Sequence, residues 1–299
     1  MMFISLLAGA CQPVQPVSQR SQRGGTPAVS TGIAEVNGTK LYYEMKGAGE
    51  PVVLIHGFSL DNRMWDDQFE HLSANYKVIR YDGRGHGQSA PITGPFKPEE
   101  DLRALLDFLK IDQVHIVGHS LGGAVAAYFA LTYPQRVKSL VFVDLLVPDA
   151  PAPSELLPRL GGYMDAAHSA GLETGLKQWL ADPLFASANA IPAIHDRLTD
   201  IVLKGQTALG QGAAFINLQN IALDAPVYKR LAEISAPTLV ILGEKDIQEF
   251  HAMVDNLSQG IKKAQRVVIK GAGHIAPMEK PTEVTDTILK FLAAASAPA

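Results

Sequence analysis

A serine flanked by glycines, Gly118-His119-Ser120-Leu121-Gly122, joins two segments of opposite character. Ahead of it lies the β-rich run Val114 to Val117, and behind it the helix-forming run Ala124 to Leu131. A strand that passes straight into a helix through so short a turn forces the serine into a strained backbone conformation with its hydroxyl exposed. The glycines are needed because a Cβ at either position would collide with the crossing strand and helix. The helix N-terminus behind Ser120 favours negative charge forming nearby. The segment therefore demands a layered α/β domain and marks Ser120 as a candidate nucleophile.

The rest of the chain has the matching rhythm. Ile33 to Val36, Asn37-Gly38 and Thr39 to Met45 read as a β-hairpin with a tight turn. Val52–Ile55, Tyr76–Tyr81, Leu140–Val143, Thr238–Leu242 and Arg266–Ile269 read as further strands. Strands that are apolar throughout belong to a sheet buried on both faces, hence parallel and covered by helices. Pro98-Glu99-Glu100-Asp101 opens one helix, with proline in the first turn and acids at the positive end. Leu102, Leu105, Leu106 and Leu109 give that helix an apolar face, and a last helix is expected from about Pro281 to Ala293. Residues 149–225 break the alternation. They are rich in helix formers, carry prolines at 151, 153, 158, 183 and 192, and show no buried strand, so they read as a helical insertion. The expected organisation is a core of 31–148 and 226–299, the insertion 149–225, and a leader and flexible tether over 1–30.

The tether reading rests on Cys11. It follows the apolar run Leu6-Leu7-Ala8-Gly9-Ala10 and precedes a Gln/Pro/Ser/Arg/Gly stretch, as in a secretory leader followed by a flexible tether. A cysteine at such a cut resembles the lipidation site of bacterial lipoproteins, although Ala8 stands where leucine is usual and residues 1–10 contain no Lys or Arg. Two readings stand: export with Cys11 lipidated and anchored to a membrane, or a cytoplasmic protein with an incidental cysteine in its tail. Net charge is −4 with no basic stripe, so nucleic acid is not an expected partner. With one cysteine and no HExxH histidine pair, no metal site and no cofactor are expected.

A serine hydroxyl needs a base to attack a carbonyl at neutral pH, and the base needs an orienting group. Of nine histidines, His274 lies in a glycine-bearing loop after a late apolar strand, Gly271-Ala272-Gly273-His274. Asp246 closes the strand before it, in Leu242-Gly243-Glu244-Lys245-Asp246, and gives the order serine, acid, histidine. Asp144, after Leu140–Val143, is the main rival acid and Glu244 a weaker one. His56 and His86 read as buried structural histidines. His119, inside the turn, is expected to point away from Ser120. The oxyanion donors expected are the backbone N–H of Leu121 and that of Phe58, in the loop after Ile55.

Taken together, His56-Gly57, Asp82-x-Arg84-Gly85-x-Gly87-x-Ser89, Gly118-x-Ser120-x-Gly122-Gly123, Gly243-x-x-Asp246 and Gly273-His274 resemble the α/β-hydrolase superfamily over residues 33–148 and 226–293. The resemblance implies an eight-stranded, mostly parallel sheet flanked by helices, with 149–225 as a helical cap over the site. Asn62-Arg63-Met64-Trp65 with Tyr81 to Gly87 is similar to enol-lactone hydrolases and to cofactor-free haloperoxidase or perhydrolase-like esterases. The segment from Ser89 to Leu102 is shorter than is usual in the family, which implies a more open rim. Members of this fold that attack sp³ carbon use aspartate as nucleophile, so Ser120 points to acyl chemistry.

The expectation is a serine hydrolase that cleaves a small-to-medium apolar carboxylic ester through an acyl-enzyme, with Met64, Trp65, Leu145, Leu146 and Phe185 as pocket candidates. A lactonase or perhydrolase-like activity is the first alternative. A non-catalytic ligand-binding protein on the same scaffold is the second.

Overall fold

The strands assemble as their hydropathy demands. In this computed structural model, which describes residues 28–146, 155–207 and 227–296, eight strands form one sheet. They are β1 (Ser30–Val36), β2 (Thr39–Lys46), β3 (Pro51–Ile55), β4 (Lys77–Tyr81), β5 (Val114–His119), β6 (Val137–Val143), β7 (Thr238–Gly243) and β8 (Ala264–Ile269). Their order is β1-β2-β4-β3-β5-β6-β7-β8. β1 and β2 run antiparallel to their neighbours, and all later pairings are parallel. The β1–β2 hairpin turns on Asn37 and Gly38, both at positive φ (45° and 70°), as a two-residue primed turn requires. All six residues of β5 are buried, whereas edge strand β8 exposes part of its length.

Helices α1 (Asp66–Leu72), α2 (Pro98–Phe108), α3 (Leu121–Thr132), α8 (Gln248–Gly260), the short α9 (Ala276–Glu279) and α10 (Pro281–Ala295) accompany the sheet. α10 buries Val284, Thr285, Ile288, Phe291 and Leu292, one face of the helix expected from about Pro281 to Ala293. α2 buries Glu99 and Asp101 as well as its leucines. Asp101 is inward because Arg84 meets it with two hydrogen bonds, Nε–Oδ2 3.0 Å and Nη2–Oδ1 2.7 Å.

Between β6 and β7 the described residues form α4 (Leu156–Ala170), α5 (Leu172–Leu180), α6 (Ala186–Asn189) and α7 (Pro192–Thr207), and no strand. The chain breaks between α4 and α5 at Gly171, whose φ of 98° suits a residue without a side chain. Charged pairs fasten these helices to α1 and the turn before it: Arg63 with Asp200 (2.8 Å) and Arg197 with Asp67 (2.7 Å). Cys11 and the leader-like run lie outside the described residues, as do 147–154 and 208–226, which hold both ends of the insertion. Among the described residues no helix is long and apolar enough to cross a membrane.

The topology sets where chemistry can occur. From β4 the chain crosses over β3 to form β5, so the loops leaving the C-terminal ends of β3 and β5 diverge and leave a crevice. In open α/β sheets ligands bind at such a switch point. The loop at 56–59 follows β3, and Ser120 follows β5.

Candidate active site

Ser120 sits in the turn between β5 and α3 at φ 50° and ψ −117°, a region L-residues adopt only under constraint. Its N–H donates to Val143 O (2.9 Å), and its carbonyl accepts from Leu146 N (3.2 Å). The turn closes because its glycines leave room: a Cβ on Gly118 would lie 2.4 Å from Gly122 O, and one on Gly122 2.4 Å from Ile55 O. Ser120 is 7% exposed and faces a cavity of about 500 Å³, its open mouth included.

His274 lines the same cavity, in the loop between β8 and α9. Its Nδ1 lies 2.8 Å from Asp246 Oδ2, and the ring packs between those of Phe250 (centroids 4.3 Å) and His119 (4.9 Å). Asp246 Oδ1 accepts from Ile247 N (2.7 Å), so both carboxyl oxygens are occupied. With Nδ1 turned to Asp246, the imidazole offers Nε2 as its other nitrogen. His119 lies 2.8 Å from His274 O through its own Nε2. Burial first, and the neighbouring His274 second, push its pKa well below the usual histidine value. A neutral ring bonded to a main-chain carbonyl braces the loop that carries His274.

The three acids separate. Asp246 meets His274 directly. Asp144 is fully buried at φ 46°, and its Oδ1 accepts from Gly243 N (2.7 Å). Burial, reinforced by the charge of Asp246, holds its carboxyl well above the usual carboxylate range. Glu244 Oε2 accepts from Gly271 N (2.8 Å) on the exposed side of the loop.

Phe58 and Leu121 both line the cavity beside Ser120. Leu121 is the first residue of α3, where an N–H has no carbonyl one turn back. Behind Phe58, His56 spans the loop: its Nδ1 lies 2.8 Å from Gly57 O, and its Nε2 accepts from Gly83 N (2.8 Å). The His86 ring packs against it, centroids 4.9 Å apart. Burial, aided by the adjacent His56, pushes the His86 pKa down to about 3. Both are buried neutral rings that shape the loop. They line a second cavity, closed in part by Phe96 and Pro98 of the short 89–102 segment.

The pocket differs from the expectation. Leu146 and Phe185 line it, but Met64, Trp65 and Leu145 do not. All three are fully buried. Met64 and Trp65 form a single helical turn, residues 62–65, that folds inward ahead of α1, with Trp65 edge-on to His119. Leu145 packs against Gly123, where a Cβ would lie 2.5 Å from its Cδ1. The walls come instead from Leu60, Ile275 and the inserted helices, through Leu156, Leu160, Trp179 and Leu184. The helical spacing of Leu156 and Leu160, and of Leu176, Trp179 and Leu180, was the available signal, but it gives a buried face without saying what the face covers. Trp179 Nε1 donates to Ser59 Oγ (2.7 Å), joining α5 to the loop after β3. Among the described residues no group of three or more His, Cys, Asp or Glu side chains could hold a metal ion.

A family model described as the alpha/beta hydrolase fold matches residues 50–281. The crystal structure of the enol-lactonase from Burkholderia xenovorans LB400 superposes with a TM-score of 0.76 at 27% identity, covering 88% of this chain and all of that one. A malate-bound thermophilic esterase from Thermogutta terrifontis gives 0.78 at 27% identity, over 90% of this chain and all of that one. Among curated proteins, the dihydrolipoyllysine-residue acetyltransferase component of the acetoin cleaving system of Cupriavidus necator is 32% identical over 272 residues, covering 87% of this chain and 68% of that protein. These likenesses support hydrolase activity and leave the substrate open. Fold, strand order and the match over most of the chain make this protein a member of the α/β-hydrolase fold family.

Proposed function

We propose that the protein is a serine hydrolase of uncharged, apolar carboxylic esters, with residues 149–225 acting as a cap over the site. The observation that carries the reading is the 2.8 Å contact between His274 Nδ1 and Asp246 Oδ2 in the wall of the apolar cavity that Ser120 faces. Ser120 Oγ attacks the ester carbonyl while His274 Nε2 takes its proton. Asp246 fixes the tautomer and stabilises the imidazolium. The N–H groups of Leu121 and Phe58 bind the oxyanion. The protonated histidine gives its proton to the leaving alcohol, and water activated by the same nitrogen clears the acyl-enzyme. Substrate polarity follows from the lining. Apart from His119, Ser120 and His274, every described lining residue is apolar, and a charged acyl group there would be desolvated without a partner. An apolar lactone is the second reading, favoured by the likeness to the enol-lactonase.

The test is turnover of p-nitrophenyl butyrate against butyrolactone-type substrates, with Ser120→Ala as control. An acyl burst in the wild-type chain and a kcat lower by about 10⁴–10⁶ in Ser120→Ala support the reading; equal rates refute it. A fluorophosphonate probe that leaves folded protein unlabelled at Ser120 would instead indicate a ligand-binding protein. Export with Cys11 lipidated belongs to the same proposal and is checked separately, by mass spectrometry of the N-terminus.

A further inference from the structure

We infer that Glu279 is a positioning residue that ties the His274 loop to the inserted helices, so that seating of the cap sets the placement of the histidine; the inference rests on the hydrolase reading above. Glu279 ends α9 and is 8% exposed. Its Oε2 accepts from Gly273 N (2.9 Å), and its Oε1 from Ile275 N (3.2 Å). One carboxyl group thus gathers the peptide N–H immediately before His274 and the one immediately after it. Asp246 orients the imidazole from the side-chain end, and Glu279 fixes the backbone from which the imidazole hangs. Oε2 accepts a second bond, 2.6 Å long, from Ser187 Oγ on α6. Ser187 therefore reaches the histidine loop through a single shared oxygen.

A second observation places the same two elements in contact. A Cβ on Gly273 would lie 2.6 Å from Ser187 Cβ, so α6 rests directly on the residue preceding the histidine. A shift of the cap relative to the sheet must either break the Ser187 bond or drag Glu279, and with it both N–H groups, along. Misplacing a reacting group by about 1 Å can cost about 10²-fold in rate. The physical consequence is that substrate entry that disturbs α6 disturbs the general base, and a substrate that seats α6 restores it.

Two variants separate this role from a merely structural one, assayed with p-nitrophenyl butyrate and by amide hydrogen exchange on the full chain. Ser187→Ala removes the link to the cap and leaves the loop bonds. Glu279→Gln replaces one accepting oxygen by an NH₂ that faces an N–H. Expected are a kcat lower by about 3- to 10-fold in Ser187→Ala and by about 10- to 100-fold in Glu279→Gln, both with KM within about 3-fold of wild type. Exchange at Gly273 and Ile275 should accelerate in both. Because Ser187→Ala is a small change, it keeps the test decisive where Glu279→Gln fails to fold. Wild-type kcat in Ser187→Ala, or a loss carried wholly by KM, overturns the inference while leaving the hydrolase reading intact. A wild-type chain with no ester turnover and no fluorophosphonate labelling overturns the hydrolase reading itself, and the positioning role with it.

Discussion

Two aspartates end adjacent strands near the same histidine, and the structure gives them opposite consequences on substitution. Asp246→Asn removes the charge opposite His274 Nδ1, which lies 2.8 Å from Oδ2. In the transition state the imidazole is cationic. Unit charges about 4 Å apart at an effective dielectric of about 20 interact by about 4 kcal/mol, which is about 10³ in rate. An asparagine that offers its NH₂ to Nδ1 would also favour the wrong tautomer, and in serine proteases the corresponding change costs about 10⁴. A kcat lower by about 10³–10⁴ is therefore expected. Asp144→Asn should leave kcat within about 5-fold, at the scale of one lost neutral hydrogen bond, because Asp144 Oδ1 accepts from the main-chain N–H of Gly243 while His274 Nδ1 meets Asp246. Burial, and then the charge of Asp246, raise its carboxyl pKa well above the usual carboxylate range, and asparagine is nearly its isostere. Stability gives an independent check. A carboxyl with a raised folded-state pKa contributes stability that is full below its unfolded value of about 3.9 and is lost as pH rises through the folded value. Asparagine does not titrate, so Asp144→Asn should gain on wild type as pH rises from about 4, at no more than about 1.4 kcal/mol per pH unit. The assays are burst and steady-state kinetics with p-nitrophenyl butyrate, and thermal unfolding at stepped pH. A large kcat loss in Asp144→Asn, with Asp246→Asn near wild type, would refute the assignment.

Gly122→Ala puts a Cβ 2.4 Å from Ile55 O and 2.5 Å from His56 O, both main chain, so destabilisation at the top of the overpacking range, about 3 kcal/mol, is expected in urea unfolding. Arg84→Met strands the buried Asp101 and should cost about 3–5 kcal/mol, most of it recovered in the double variant Arg84→Met/Asp101→Leu; equal stabilities for single and double variants would show the pair to be uncoupled. Leu146→Ala enlarges the cavity beside Ser120, and a methylene in such a pocket is worth about 1–3 kcal/mol, so kcat/KM should shift from butyrate toward octanoate esters by about 10-fold or more.

What the sequence made legible follows from where the determining contacts lie. β3, most of β7 and the Leu140–Val143 half of β6 are continuously apolar because both faces are covered, and such runs declare themselves without tertiary information. The Ser120 turn was equally legible, since the Gly118 requirement answers to a clash within the motif, although that of Gly122 answers to the loop after β3. The acid was not. Asp144 and Asp246 both follow apolar strands, and only the pairing of β6 with β7 shows that Asp144 turns back to Gly243 N while Asp246 reaches across to His274. The pocket was least legible. Met64 and Trp65 are large, apolar and close to a strand end, as a lining residue should be, yet the turn over residues 62–65 rolls them into the core.

The same reasoning explains why the proposed cap should carry specificity in this chain. Three residues around the proposed reacting groups are held by main-chain bonds: Asp246 by Ile247 N, His119 by His274 O, Asp144 by Gly243 N. None of them depends on the identity of a cap side chain. The described cavity walls are different, because Leu156, Leu160, Trp179, Leu184 and Phe185 all lie on inserted helices. Substitution there changes the volume and shape offered to the acyl group without touching those bonds. Beyond the charged pairs of Arg63 with Asp200 and Arg197 with Asp67, two polar links reach loops beside the proposed reacting set, Trp179 to Ser59 beside the oxyanion loop and Ser187 to Glu279 beside the histidine loop. Each meets the catalytic side at a residue adjoining, and not within, the proposed reacting set. A cap built this way can vary the rest of its apolar lining, while Trp179 and Ser187 tie its position to the loops that carry the proposed chemistry.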